Sequence, residues 1–126
     1  MSQQPFLVFS IAGARLALPL LQVKEVVALP HLTPVPTMPP TFRGVMNLRG
    51  AVHPVIDLRA RLGKPTTTDE ETAVIVLAGK NPAGAVVDSV DRVVSVSADE
   101  IIDGNFVWEH ESVAIFDMGN LLEEVA

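Results

Sequence analysis

Gly44-Val45-Met46-Asn47-Leu48-Arg49-Gly50, continuing through Ala51-Val52-His53-Pro54-Val55-Ile56-Asp57-Leu58, is the stretch on which a reading of the fold turns. Two short runs of β-branched and apolar residues flank Arg49-Gly50, where glycine tolerates the positive φ that a tight hairpin demands. The second run stops at Asp57, a residue suited to accept hydrogen bonds from the free amides of a following helical turn over Arg59 to Leu62. The same text returns 60 residues later: Gly44, Val55, Ile56, Asp57 and Leu62 fall on Gly104, Ile115, Phe116, Asp117 and Leu122. An element written twice in one short chain points to an internal duplication.

Working outward, Val23, Val26, Val27 and Leu29 fall on Val90, Val93, Val94 and Val96 at an offset of 67, and Ala12-Gly13 falls on Ala78-Gly79 at 66. The change of offset from 67 to 60 removes seven residues from the second copy, where the first carries a proline-rich loop. Nineteen Val and six Ile, clustered in runs broken by Gly, Pro, Asn and Asp, give a strand-and-turn text. Strands are expected over 6–11, 15–18, 24–29, 44–48 and 52–58, and again over 73–78, 84–88, 92–97, 105–108 and 113–116. Tight connections between ten short strands favour closed antiparallel barrels, since closure removes exposed edges. The expected class is all-β, with five strands per copy and two small barrels sharing one interface.

Helix is limited to one turn at Arg59 to Leu62 and about two turns at Met118 to Val125 behind Asp117. Pro30 to Pro40 holds five prolines in eleven residues, which excludes helix interior or central strand and leaves an ordered, extended loop. Gly63 to Glu71 has linker composition. A single domain over 1–126 therefore divides, on this reading, into subdomain 6–62, linker 63–71 and subdomain 72–126.

The 126 residues suffice for one self-sufficient core, and 48% hydrophobic with 19% charged residues excludes intrinsic disorder. No cysteine means no disulfide framework, no thiolate metal site and no cysteine nucleophile, which fits a reducing cytosol. Met1 to Pro5 lacks the pattern of a signal peptide and no apolar run approaches 18 residues, so neither export nor membrane insertion is expected. The net charge of −6 and the scarcity of aromatics disfavour nucleic acid. The charge is polarised: residues 1–65 carry seven Lys/Arg against two acids, and 66–126 carry two against thirteen. Such polarity favours different partners at the two ends, or head-to-tail contact between copies.

No chemistry-bearing constellation emerges. His31, His53 and His110 lack ligand spacing for a metal, Gly79-Lys80-Asn81-Pro82 lacks the residues of a phosphate loop, and no nucleophile elbow exists. A duplicated barrel with Asp57 and Asp117 invites comparison with an aspartate dyad hydrolase, but such a dyad needs a Gly two residues after each Asp, and only Asp117 has one. Asp57 and Asp117 are read as helix caps, Gly44 and Gly50 as turn glycines, and Asp88 and Asp91 as turn residues. No cofactor is expected.

The copies differ at one telling place, Asn47-Leu48-Arg49-Gly50 against Val107-Trp108-Glu109-His110. A guanidinium at a hairpin tip offers a rigid fork of donors for carboxylates or backbone carbonyls of a partner. The competing reading is an internal salt bridge to Asp57 or to an acid of the second barrel. Val35, Met38 and Phe42 of the proline loop either cap the barrel or form an apolar docking surface.

Together, Phe6 to Ala17, Val23-Lys24-Glu25-Val26, Thr33-Pro34-Val35-Pro36, Phe42 to Gly50, Pro54-Val55-Ile56-Asp57-Leu58 and Val86-Val87-Asp88-Ser89-Val90 resemble the CheW-like family of chemotaxis coupling domains. The resemblance implies two pseudo-symmetric five-stranded SH3-like barrels, with the short C-terminal helix. It implies a non-catalytic adaptor in the cytoplasm, recruited to receptor arrays. Such adaptors bridge the signalling tip of a methyl-accepting receptor to the regulatory domain of a CheA-type histidine kinase, and other CheW-like domains are further partners. Carried over by residue, the receptor-facing positions are Asn47, Arg49, Val35 and Val87. Phe106 and Trp108 are the kinase-facing candidates. Coupling proteins of type IV pilus systems are similar.

Overall fold

The computed structural model describes residues 3–37, 39, 41–63, 71–80 and 82–116. Ten strands run in chain order: β1 (Gln3–Ile11), β2 (Ala14–Pro19), β3 (Val23–Ala28), β4 (Phe42–Leu48), β5 (Ala51–Asp57), β6 (Ala73–Leu77), β7 (Gly84–Val87), β8 (Ser89–Ser97), β9 (Asn105–Trp108) and β10 (Glu111–Ile115). One helical turn, α1 (Leu58–Arg61), follows β5. The expected linker at 63–71 falls mostly outside the described residues, as do Met38, Asp117 and the expected C-terminal helix.

Two five-stranded sheets result, ordered β3-β6-β7-β5-β4 (barrel B) and β8-β1-β2-β10-β9 (barrel A). They have the same plan: β6, β7, β3, β4 and β5 of one correspond to β1, β2, β8, β9 and β10 of the other. The duplication is thus present, but its copies are interleaved. The first two strands of each copy join the last three of the other, so barrel B is the continuous segment 23–87 and barrel A is built from 3–19 and 89–115. This corrects the division into subdomains 6–62 and 72–126. Residues 63–71, whose composition suggested an inter-domain linker, connect α1 to β6 within barrel B. Pairing is mixed rather than wholly antiparallel, because β5 lies parallel to β7 and β10 parallel to β2.

The physical cause of the exchange lies in strands with two apolar faces. Along β1, Phe6 and Val8 point into the core of barrel A with Phe106, Val113 and Val96. The alternate residues Leu7, Phe9 and Ile11 enter a central core with Ile75, Leu77, Ala85 and Val87 of barrel B. β6 and β7 are buried along their whole length, with Val74, Val76 and Val86 facing Met46 and Val55 inside barrel B. Strands apolar on both faces must lie between two packed layers, as these three do. The barrel interface is consequently filled by the largest of the three cores, to which α1 contributes Leu58.

Candidate functional site

The β4–β5 hairpin closes through a two-residue loop, since Leu48 opposes Ala51, and both loop residues take positive φ: 53° at Arg49 and 86° at Gly50. That pair of angles is a type I′ turn, whose hand matches the twist of the strands. Gly50 adopts it at little cost. An L-residue with a long side chain pays about 1–2 kcal/mol for it. Asn47 supports the turn from the preceding strand, its Oδ1 accepting from Gly50 N at 3.1 Å.

The Arg49 side chain is 70% exposed and reaches across the open side of the sheet order to β3. Its Nη1 and Nη2 donate to Oε2 and Oε1 of Glu25, each at 2.7 Å, a fork-on-carboxylate geometry. The hydrogen bonds from Arg49 hold the Glu25 carboxyl below its usual range and raise the guanidinium in return. The pair spans the seam between the end strands β3 and β4, so the barrel is closed by side chains where the ladder is missing. The internal salt bridge of Arg49 therefore exists, but its partner is Glu25 of the same barrel, rather than Asp57 or an acid of the second barrel.

Asp57 is engaged elsewhere. Its Oδ1 accepts from Arg59 N (3.0 Å) and Ala60 N (3.3 Å) at the start of α1, and its Oδ2 accepts from Arg43 Nη1 at 3.4 Å. Arg43 also makes two 2.8 Å bonds to the buried Glu71, whose carboxylate is the main cause of its raised pKa. Arg59 and Asp88 form a second buried pair at 2.6 Å, and Asp88 also accepts from Ala12 N. Asp88 thus fastens barrel A's first hairpin to α1, and Asp91 accepts from Ser10 Oγ. An Asp committed to two amides and a guanidinium is spent on structure, not poised as a nucleophile.

The proline loop is anchored beside the hairpin strand. Thr33 and Val45 exchange two 2.9 Å backbone bonds, and Gly44, at φ 139°, allows the approach: a Cβ there would lie 2.3 Å from Thr33 O. Val35 is half-buried, while Phe42 packs onto the central core and so caps the barrel. Val87 must be withdrawn as a contact residue. It is fully buried in the central core, and no partner can reach it without unfolding.

On barrel A the counterpart hairpin, Glu109-His110, has φ of 51° and 65° without any glycine. Phe106 is also withdrawn: its ring is buried against Phe6, with centroids 5.6 Å apart. Strand alternation places Val107 outward instead, 72% exposed, a position that the alternation itself would have given. Trp108 is half-buried beneath the Arg15 guanidinium, 4.7 Å from its ring centroid. Arg15 is held by Glu109 at 2.9 Å and Glu111 at 3.4 Å. The seam pair of barrel B has its charges inverted in the repeat, Glu25 against Arg92 and Arg49 against Glu109, and Glu109 has turned to Arg15.

With this arrangement in view, the comparisons are decisive: the model of the CheW-like domain matches residues 5–120. The chain belongs to the CheW-like domain family. This CheW-like domain is 37% identical over 100 residues to the chemotaxis protein CheW of Klebsiella aerogenes, covering 78% of this chain and 60% of that protein. It is 38% identical over 100 residues to the chemotaxis protein CheW of Bacillus subtilis, covering 78% and 64%. Protein FrzA of Myxococcus xanthus is 37% identical over 90 residues, covering 70% and 56%. The matched part thus spans about three fifths of the length of these relatives. The scaffolding protein TtCheW of Thermoanaerobacter tengcongensis superposes with a TM-score of 0.80 at 25% identity, covering 92% of this chain and 90% of that one. The fold is accordingly the pair of SH3-like barrels. Among the described residues, no helix is long and apolar enough to cross a membrane.

Proposed function

We propose that this CheW-like domain is a non-catalytic adaptor that couples a methyl-accepting chemotaxis receptor to the regulatory domain of a CheA-type histidine kinase. It works in the cytoplasm at receptor arrays. The reading is supported by family membership and by the observation that carries the site: an exposed arginine fork held at a hairpin tip in a strained backbone conformation. Backbone strain that persists at an exposed position is a pointer to function, because folding alone would favour Gly or Asn there. Receptor contact is assigned to Arg49 and Asn47, with Val35 of the anchored proline loop contributing apolar area. Kinase contact is assigned to the rim of Trp108, together with the outward Val107. Other CheW-like domains are candidate partners, given the acidic excess on barrel A's side of the chain.

The role needs contact energy rather than bond chemistry. A hot-spot arginine at such a surface is worth about 2 kcal/mol or more, or roughly a thirtyfold change in affinity. Titration of receptor-tip and kinase regulatory fragments against wild type, Arg49→Ala and Arg49→Glu tests it. Receptor binding is expected to weaken in both variants, more for Glu, while kinase binding and the fold persist. Unchanged receptor affinity in both variants rejects the site.

A further inference from the structure

At one end of barrel A the Arg15 guanidinium meets carboxylates around its edge and an indole on its face. Arg15 stands two residues before Ala17, Trp108 two after Phe106 and Glu111 two before Val113, and Ala17, Phe106 and Val113 line the core of that barrel. Strand alternation therefore turns Arg15, Trp108 and Glu111 inward at the barrel's mouth. From β2 the Arg15 side chain reaches past β10 to the hairpin tip after β9. Its Nη1 donates to Glu109 Oε1 at 2.9 Å, and its Nε lies 3.4 Å from Glu111 and 3.9 Å from Asp91. Carboxylates approach a guanidinium in its plane, so three of them around the edge fix that plane and leave the flat face for Trp108, whose ring centroid is 4.7 Å away. The Arg92 guanidinium stands 6.0 Å from the same ring, at the limit of such a contact, so Arg15 carries the stack.

The fold does not require this arrangement. In the repeat, Trp108 corresponds to Leu48 and Glu111 to Ala51, and barrel B plugs its own mouth with Leu48 packed on its core. A plain aliphatic side chain thus suffices for closure, and the pinned tryptophan is particular to barrel A. Trp108 packs against the core of barrel A yet is only half-buried, so its outer rim meets solvent in an orientation that Arg15 fixes. A contact residue ordered before its partner arrives loses less conformational freedom on binding.

We propose that Arg15 is the positioning residue of the kinase contact, holding the Trp108 rim in its binding orientation through the stacked guanidinium. The inference rests on the assignment of Trp108 to the kinase. The full chain is compared as wild type, Arg15→Ala, Arg15→Lys, Trp108→Ala and the double variant Arg15→Ala/Trp108→Ala. Because Trp108 is the chain's one tryptophan, acrylamide quenching of its emission reads the ring directly. Quenching should rise in Arg15→Ala and also in Arg15→Lys, which keeps the charge beside the carboxylates but lacks the flat face. Both should bind a kinase regulatory fragment about three- to tenfold more weakly, with receptor-tip binding unchanged. In the Trp108→Ala background, Arg15→Ala should add no further loss, whereas a general weakening of the fold would still show there. Quenching that stays at the wild-type value in either variant, or an equal loss of kinase affinity with and without Trp108, overturns the proposal alone. Wild-type kinase affinity in Trp108→Ala overturns the kinase assignment and the proposal with it.

Discussion

Interleaving predicts that the two barrels unfold as one. The chain leaves barrel A at Pro19, builds all of barrel B and returns at Ser89, and the central core takes Leu7, Phe9 and Leu18 from one and Ile75, Leu77 and Val87 from the other. Met46 lies at the far side of barrel B, 1% exposed, in a cluster that includes no residue of barrel A. Met46→Ala removes buried apolar volume and should cost about 2–5 kcal/mol. With a urea m-value of about 1–3 kcal/mol/M, a loss of 3 kcal/mol lowers the midpoint by roughly 1–3 M. The protein's one tryptophan, Trp108, reports on barrel A alone. Urea melts followed by Trp108 fluorescence and by far-UV circular dichroism should therefore shift together and remain coincident, although the substitution is in the other barrel. A Trp108 transition that stays at the wild-type midpoint while the dichroism splits into two steps would refute the argument.

Gly44→Ala should destabilise far more than Gly50→Ala. The first bears a positive-φ penalty of about 1–3 kcal/mol and, in addition, drives a Cβ into the Thr33 backbone carbonyl, which must shift, whereas the second meets no atom within 4 Å and bears only the left-handed backbone penalty of about 1–2 kcal/mol; paired urea melts decide the order. Arg49→Gly should leave stability unchanged or slightly raised, since glycine relieves the backbone at φ 53°, yet weaken receptor binding as Arg49→Ala does; a melt and a titration on the same sample check both halves. Glu25 titrates below its usual range in the folded chain, so the stabilisation from its pair with Arg49 is present above the ordinary glutamate pKa and is lost as pH falls through the folded value. A carboxyl-carbon NMR titration should show the Glu25 midpoint rising in Arg49→Ala. Asp57→Ala should cost more than Asp57→Asn, because Asn retains an acceptor for the α1 amides, a cap worth about 0.5–2 kcal/mol; thermal melts give the ranking.

Much of the fold was legible along the chain. Apolar runs and punctuating glycines marked all ten strands, and the recurrence of Gly, Asp and Ala-Gly at fixed offsets announced the duplication that the matching sheet orders display. Asn47 and Arg49 could be singled out because the two copies disagree there. Val87 and Phe106 were misassigned for a common reason. Valine or phenylalanine in a strand reads alike whether it faces a core or a partner, and only the packing of the neighbouring layer separates the two. Val107, the outward residue, was one step of the strand period away.

Local chemistry by itself settled where the backbone turns and that a pair of related units is present, since steric preference and period are properties of neighbouring residues. Which unit's strands complete which barrel, and that Arg49 takes Glu25 while Arg43 takes Asp57 and Glu71, was decided only in three dimensions. Valine-rich strands of equal length can pair in many registers with similar energy, and a carboxylate is claimed by whichever guanidinium the assembled layers bring within reach.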